Sequence, residues 1–271
     1  MSNLQLRVIS SIALAVIALS ITWLGGVAFR VLAGAIALAI IYEWSRMSVV
    51  QDAVALKIGS GAMFAIAMVG LVLGYPADIL MASVGAAAAV SLAFGIVTGQ
   101  GTETAISLVY AGMAGISLAF LRGSDTTGLL AILFLFAVVW ATDIFAYFVG
   151  RTFGGAKLAP SISPGKTWSG AIGGTAGGIL AGIAVALAAG LANGVLLAVV
   201  AFLLSVVSQL GDLFESSVKR RHGAKDSGTM IPGHGGVMDR VDGLVAAAFA
   251  LYLIGAATGG MEHPAHSLFA R

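Results

Sequence analysis

The chain has 271 residues, of which 59% are hydrophobic and only 10% are charged, and its mean hydropathy is +1.02. A water-soluble core does not need so many apolar residues, so the composition excludes an ordinary soluble domain and predicts a membrane protein. The chain has no cysteine, which excludes disulfide bonds and thiolate metal sites.

Nine apolar stretches predict an all-α polytopic membrane protein with about nine transmembrane helices. A helix needs about 20 mostly apolar residues to cross a hydrocarbon core of about 30 Å. The first stretch lacks a clear small-residue cleavage site, so we expect a retained span rather than a cleaved signal. In chain order the predicted spans are 8–24, 27–45, 57–74, 78–98, 104–121, 128–149, 170–190, 194–213 and 243–259.

The seventh predicted span is rich in glycines that repeat every four residues. Two such series occur, one with Gly173 and Gly177 and the other with Gly174, Gly178 and Gly182. Glycines at this spacing let two helix backbones approach closely in lipid. We therefore interpret them as packing residues and not as a phosphate-binding loop.

The lysines and arginines predict the orientation, because cytoplasmic loops carry an excess of them. With a cytoplasmic N-terminus, eleven of the 14 basic residues fall on the cytoplasmic side and three on the other. The eleven are Arg7, Arg46, Lys57, Arg151, Lys157, Lys166, Lys219, Arg220, Arg221, Lys225 and Arg240, and the three are Arg30, Arg122 and Arg271. The sequence therefore predicts a cytoplasmic N-terminus.

Two long polar segments, 150–169 and 214–242, both fall on the cytoplasmic side and hold most of the chemistry. We predict that they are cytoplasmic loops that form the active site. On this basis the chain divides into residues 1–125, with spans one to five, and a catalytic region, 126–271.

Carboxylates collect at the cytoplasmic ends of spans six, eight and nine: Asp143, Asp212, Glu215, Asp226, Asp239 and Asp242. Outside this group, Glu43 lies near the end of span two. Carboxylates brought together repel one another unless a cation neutralises them. Mg²⁺ suits such a group, since it binds a few carboxylates together with water and phosphate oxygens. The alternative is that each acid pairs with a neighbouring lysine or arginine.

Basic residues and glycines accompany these acids in the second polar segment. Lysine and arginine side chains bind phosphate, and glycines let backbone N–H groups approach an anion. His234, inside the glycine run, is a candidate phosphate donor or proton shuttle. Each has an alternative. The basic residues would only set the membrane topology, the glycines would form an ordinary loop, and His234 would make a structural hydrogen bond. The residues concerned are Lys219, Arg220, Lys225 and Arg240, with Gly233, Gly235 and Gly236.

The second segment resembles the signature of the phosphatidate cytidylyltransferase (CDP-diacylglycerol synthase) family. The matching residues are Ser217-Val218-Lys219-Arg220, Lys225-Asp226, Pro232-Gly233-His234-Gly235-Gly236 and Asp239-Arg240-Val241-Asp242. The first segment resembles the family's upstream block through Asp143, Tyr147, Gly150-Arg151, Ser163-Pro164 and Lys166-Thr167-Trp168. Ser169 stands where the family usually has glutamate. The strong similarity covers residues 141–243.

The resemblance implies an integral membrane nucleotidyltransferase that converts CTP and phosphatidic acid into CDP-diacylglycerol and pyrophosphate. We expect the enzyme in the lipids of a bacterial inner membrane, with no nucleic-acid partner and with the active site facing the cytoplasm, as the basic residues predict. The resemblance implies a homodimer. It also implies dependence on a divalent metal, for which we expect Mg²⁺, with a second cation as an open alternative.

The resemblance implies metal binding by Asp212 and Asp239, and the other expected roles come from the charge neutralisation and phosphate binding that the reaction needs. The expected metal ligands are Asp143, Asp212, Asp239 and Asp242. The expected catalytic residues are Asp212, Lys219, Arg220, Lys225, Asp226, His234, Asp239 and Arg240. The expected substrate-binding residues are Arg151, Ser163, Lys166, Thr167, Gly233, Gly235 and Gly236.

Two other functions stay open from the sequence. A CTP-dependent polyprenol or lipid kinase would share the nucleotide and the membrane but would transfer the γ-phosphoryl group. An ion-coupled transporter would place acids in the middle of its spans and would have broken helices at the membrane midplane.

Overall fold

The computed structural model describes residues 3–48, 54–98, 102–231, 233 and 235–270, with only the backbone described for 3–8 and 54–55. The predicted all-α polytopic architecture is confirmed. Among the described residues, eight helices are long and apolar enough to cross a membrane, and α1 contributes the shorter apolar stretch Ile9–Leu24. The helices are α1 (Asn3–Leu24), α2 (Gly26–Met47), α3 (Val54–Leu73), α4 (Ala77–Thr98), α5 (Thr102–Arg122), α6 (Thr126–Phe153), α7 (Trp168–Ala188), α8 (Gly194–Arg221), α9 (Met238–Gly259) and α10 (His266–Phe269).

The bounds of three helices correct the predicted polar loops. α6 continues to Phe153, α8 continues to Arg221, and α9 begins at Met238. Of the second polar segment, predicted as a loop over 214–242, residues 214–221 belong to α8 and residues 238–242 belong to α9. Hydropathy detects only the apolar part of a helix, whereas backbone hydrogen bonds and pairs such as Glu215–Lys219 continue the helix through its charged last turns.

The first polar segment, predicted as a loop over 150–169, contains a β-hairpin. Strands β1 (Lys157–Ala159) and β2 (Ser163–Thr167) pair antiparallel, with Lys157 opposite Thr167. α6 ends at Gly154 and Gly155, whose positive φ angles of 59° and 97° suit glycine and turn the chain out of the helix.

Two hydroxyls join the hairpin to the helices beside it. Thr167 caps α7 by accepting a hydrogen bond from the Gly170 N–H at 3.1 Å. Ser169, at the position where the resemblance gives glutamate, donates to the Gly154 carbonyl and shares a 3.0 Å bond with Thr167. These bonds tie the end of α6 to the start of α7.

The chain forms two compact units. The first contains Met1–Phe120 and His222–Val241, and the second contains Leu121–Arg221 and Asp242–Arg271. The loop between α8 and α9 therefore belongs to the first unit, whereas the hairpin belongs to the second. The assignment of residues 1–125 to the first five spans and of residues 126–271 to a catalytic region stays a prediction.

In the second unit, α7 packs closely against α6 and α8, as its glycine spacing predicts. A Cβ atom at Gly178 would lie 2.5 Å from Thr142 Oγ1, and one at Gly182 would lie 2.8 Å from the Ala201 Cβ. Close approach lets Thr142 Oγ1 donate to Ser205 Oγ at 2.8 Å between buried faces of α6 and α8. The three helices thus hold the C-terminal parts of α6 and α8 at a short separation.

In the first unit, α2 buries one face composed of Phe29, Ala33, Ala37, Ile40 and Trp44. The spacing of three or four residues places these side chains on one side of the helix. The same face carries Glu43, which is 1% exposed. A buried acid in a transmembrane helix is costly and usually has a specific partner.

Candidate active site

A cavity of about 600 Å³ opens in the second unit, bounded by the C-terminal part of α6, the hairpin and α8. Its volume lies in the range typical of small-molecule sites, about 300–1,000 Å³. The polar side chains in its wall are Asp143, Tyr147, Arg151, Lys157, Lys166, Thr167, Gln209 and Asp212. We call this space the hairpin cavity.

The hairpin cavity contains an ion pair between Lys166 Nζ on β2 and Asp212 Oδ2 on α8. The two side chains are 28% and 30% exposed, so neither is fully removed from solvent. A predicted site residue of the first polar segment is therefore in contact with one at the end of predicted span eight. The sequence left open whether each acid binds a metal or pairs with a lysine or arginine, and in this structure Asp212 pairs with Lys166.

A second group of charges continues from Asp212 along the helices. Asp143 and Asp242 lie close enough to Asp212 for their charges to interact. Asp242 also lies beside Glu215, a fully buried acid on α8. Lys219 Nζ lies 3.2 Å from Glu215 Oε1. This part of the second unit thus concentrates negative charge beside two lysines.

The donor chemistry of Asp143, Asp212 and Asp242 fits Mg²⁺. Among the residues that the structure describes, no three His, Asp or Glu side chains converge closely enough to hold a metal by themselves. Mg²⁺ does not require such a group, because it is usually held by one or two carboxylates together with substrate phosphates and water. The metal-binding roles of these aspartates stay predictions.

Three basic side chains on the cavity wall suit polyphosphate. Arg151 lies in the last turn of α6 and donates from Nη1 to the Tyr147 hydroxyl at 3.0 Å. Lys157 and Lys166 lie on the two strands of the hairpin. An anion in the cavity would therefore meet positive charge from both the helix and the hairpin.

The remaining predicted residues of the second unit support the hairpin. Ser163 begins β2, and Thr167 is the buried cap of α7. Arg220 donates from Nε to the Ile162 carbonyl at 3.3 Å, so the end of α8 contacts the hairpin turn. The structure thus gives Thr167 and Arg220 positioning contacts, while their roles toward substrate stay predictions.

The other predicted residues lie in the first unit, on residues 222–237 and the start of α9. We call residues 222–237 the α8–α9 loop. Lys225, Asp226, Gly233 and Arg240 are exposed. His234 lies outside the described residues, as does Pro232. The catalytic and substrate-binding roles of this group stay predictions.

Asp239 receives three hydrogen bonds at a single oxygen, Oδ2. The donors are the Ser227 N–H at 2.9 Å, the Gly236 N–H at 2.8 Å and the Ser227 hydroxyl at 3.0 Å. The loop folds back to make these bonds through an antiparallel bridge between Ile231 and Gly235, where Gly235 has a φ of 89°. The loop backbone therefore fixes the orientation of the Asp239 carboxylate.

Sequence reasoning missed the roles of two residues that the structure places at these sites. Lys157, which counted only toward the orientation, lies in the wall of the hairpin cavity. Glu43 accepts hydrogen bonds from the α8–α9 loop, although it lies nearly 200 residues earlier in the chain. The one signal for Glu43 was an acid at the end of an otherwise apolar span.

Comparison with known proteins gives similarity along nearly the whole chain. Residues 5–257 match the cytidylyltransferase family. The chain is 47% identical over 269 residues to a phosphatidate cytidylyltransferase of Brucella suis biovar 1 (strain 1330), which covers 99% of each chain. It is 49% identical over 256 residues, or 94% of each chain, to the phosphatidate cytidylyltransferase of Brucella abortus biovar 1 (strain 9-941). A Haemophilus influenzae phosphatidate cytidylyltransferase is 46% identical over 125 residues, 44% of this chain and 43% of its own.

Proposed function

Because this chain belongs to the cytidylyltransferase family and is a membrane-embedded nucleotidyltransferase, we propose that it transfers CMP from CTP to phosphatidic acid. A phosphate oxygen of phosphatidic acid forms a bond to the α-phosphorus of CTP. The bond from that phosphorus to the oxygen bridging to the β-phosphate breaks, and pyrophosphate leaves with the electron pair. The products are CDP-diacylglycerol and pyrophosphate.

The observation that supports this activity most directly is the hairpin cavity, where three basic side chains face two acids. Phosphatidate is already an anionic nucleophile, so the protein has no need of a serine or cysteine nucleophile. The main obstacle is the repulsion between two polyanions, which positioning and charge neutralisation overcome. Arg151, Lys157 and Lys166 would neutralise the triphosphate and hold it against α6 and the hairpin.

We propose Mg²⁺ as the metal of the reaction and Asp143, Asp212 and Asp242 of the second unit as its ligands. The resemblance implies a metal-binding role for Asp239 as well. A bound Mg²⁺ supplies charge neutralisation at triphosphate and pyrophosphate oxygens. Lys166 would then leave Asp212 and bind a phosphate, since Asp212 cannot serve the ammonium and a metal equally. A second cation remains the alternative given by the sequence.

We further propose that the site faces the cytoplasm across a bacterial inner membrane and that the active form is a homodimer. The distribution of lysine and arginine supports the orientation. The bacterial relatives support the choice of membrane. Chemical cross-linking of the chain in native membranes, compared with the purified protein diluted in detergent, tests the dimer.

The activity is tested by supplying purified protein in detergent with phosphatidic acid and CTP labelled at the α-phosphorus. We expect label in the lipid, an equal amount of pyrophosphate, and loss of both with EDTA. The Asp212→Asn variant, purified in the same way, controls for a contaminating host enzyme. Transfer of label only from the γ-phosphorus to a polyprenol, with release of CDP, would contradict the proposal and support the lipid kinase.

A further inference from the structure

Glu43 is a buried carboxylate near the C-terminal end of α2, and the contacts that surround it come from the α8–α9 loop and the start of α9. Its Oε1 accepts the Val237 N–H at 2.8 Å, and its Oε2 accepts the Met238 N–H at 2.9 Å. Met238 is the first residue of α9 and Val237 directly precedes it, so neither N–H has an acceptor within the helix. Glu43 therefore caps a helix from a distant part of the chain and places negative charge at its positive end.

Ser227 connects Glu43 to Asp239. The Ser227 hydroxyl lies 2.9 Å from Glu43 Oε2 and 3.0 Å from Asp239 Oδ2. The hydroxyl has one proton to donate, so the two carboxylates share a single donor. A change at Glu43 therefore alters the hydrogen bonding of the Asp239 carboxylate.

Two glycines let the loop lie directly against Glu43. A Cβ atom at Gly228 would lie 3.0 Å from Glu43 Oε1, and one at Gly236 would collide with both Ser227 Oγ and the Glu43 carboxylate. Gly236 also donates its N–H to Asp239. Because it has no side chain, it fits between the Asp239 and Glu43 carboxylates, which therefore belong to one compact network. Any substitution of Gly236 would add a Cβ atom there and push the loop away from α2.

We propose that Glu43 is a positioning residue for the reaction, holding the α8–α9 loop so that the Asp239 carboxylate is aimed for metal binding. The loop supplies the three hydrogen bonds to Asp239 Oδ2, and Glu43 fixes the same loop at Ser227 and Val237. The orientation of the other oxygen, Oδ1, then follows from bonds made by α2. The kinetic part of this inference rests on the proposed function, whereas the structural part does not.

The Glu43→Gln variant tests the inference with little change in side-chain size. Glu43 now accepts hydrogen bonds from backbone N–H groups at both of its oxygens. The glutamine NH₂ group would face one of these N–H groups donor to donor, so part of the network must open. Hydrogen exchange measured by mass spectrometry should be faster in peptides that cover 227–238, and unchanged in peptides from α7 in the other unit. Ser227→Ala should show a smaller increase at the same place, because both carboxylates keep their backbone donors.

The kinetic readout separates positioning from a general loss of folding. Loss of a group that orients a metal ligand typically costs about 10–100-fold in metal affinity or activity, so we expect Glu43→Gln to lower kcat by that factor. The Mg²⁺ concentration for half-maximal activity should rise about tenfold, again from the effect of such groups on metal affinity. Glu43→Asp, which keeps the carboxylate, should recover part of both. Asp78→Asn is the matched control, since it removes an exposed carboxylate of the same unit.

Three outcomes would overturn the inference. The first is wild-type exchange over 227–238 in Glu43→Gln. The second is faster exchange there with wild-type kcat and Mg²⁺ dependence. The third is a loss of activity equal to the loss of folded protein, with an unchanged Mg²⁺ requirement. Failure of the wild-type chain to transfer CMP would instead overturn the proposed function, and the exchange measurement would still decide whether Glu43 holds the loop.

Discussion

Lys166 on β2 and Asp212 on α8 form an ion pair in the wall of the hairpin cavity. The pair places the ammonium group where a metal bound by Asp212 would place its own charge. If Asp212 binds the proposed Mg²⁺, the metal would compete with Lys166, and the released ammonium would be available to a phosphate. Such an exchange would give Lys166 a different role from that of the other lysine in the hairpin, Lys157.

The first prediction concerns the Lys166→Met variant. We expect the KM for CTP to rise, because one phosphate-binding charge is lost. We expect the Mg²⁺ concentration for half-maximal activity to fall, because Asp212 no longer has a competing cation. Lys157→Met is the matched comparison: it should raise the KM for CTP without lowering the Mg²⁺ requirement. Steady-state kinetics at varied CTP and Mg²⁺ measure both, and equal Mg²⁺ dependence in the two variants would contradict competition.

The second prediction concerns the carboxylates of the second unit. We expect Asp212→Asn to lower kcat/KM by about 100-fold or more, since an amide is a weaker ligand for Mg²⁺ and cannot supply its charge. Asp143→Asn and Asp242→Asn should each lower kcat/KM and raise the Mg²⁺ requirement. Thermal unfolding of each variant serves as the control for folding. Near-normal activity of Asp212→Asn would remove it from the proposed metal ligands.

The third prediction tests the close packing of α7. Gly178→Ala would place a Cβ atom against Thr142 and Ser205, so we expect destabilisation of about 1–3 kcal/mol, as for other overpacked sites. Gly85→Ala on α4 is the control, because no atom lies within 4 Å of a Cβ added there. It should leave the unfolding temperature in detergent unchanged or raise it. Equal unfolding temperatures for the two variants would show that α7 has room to adjust.

The fourth prediction is a pH dependence at the connection between α5 and α6. Partial burial raises the pKa of the Asp125 carboxyl, but the Gly128 N–H and the nearby His266 and His263 lower it by more, so that the pKa lies below its ordinary value. A lowered native pKa stabilises the fold above the unfolded value, about 3.9, and this stabilisation is lost as the pH falls through the native pKa.

We therefore expect wild type to unfold at a higher temperature than Asp125→Asn at about pH 6, with the difference disappearing toward about pH 3. Asparagine keeps an acceptor for the Gly128 N–H, so the comparison isolates the charge. The effect should be small, because Asp125 and His266 are about half exposed and solvent screens their interaction. A difference that grows toward low pH would contradict the sign of the shift.

The fifth prediction tests the orientation. The chain has no cysteine, so a single introduced cysteine reports its own accessibility without interference. Ser161 lies in the exposed turn of the hairpin, and Ser124 lies in the exposed connection before α6. In intact bacterial cells, a membrane-impermeant maleimide should label the Ser124→Cys variant and leave the Ser161→Cys variant unlabelled until the cells are opened. The reverse pattern would place the hairpin cavity outside.

Much of the architecture could be predicted from the sequence because a transmembrane helix is defined by local composition. The apolar stretches indicated the spans, and the glycine spacing of the seventh indicated its close packing. The helix ends were predicted less well. The last turns of α6 and α8 contain charged residues, so hydropathy falls before the helices end, while backbone hydrogen bonds and local pairs such as Glu215–Lys219 continue the helices.

The sequence by itself determined the membrane class, the two polar segments and the kinds of residue that serve a phosphate reaction, since these depend on residue type and on neighbours along the chain. The tertiary structure alone decided which of these residues meet. The contact of Lys166 with Asp212 depends on how α7 packs against α6 and α8. The contact of Glu43 with Val237 and Met238 depends on how the α8–α9 loop folds onto α2. Such partners are far apart in the chain, and no local pattern encodes the distance between them.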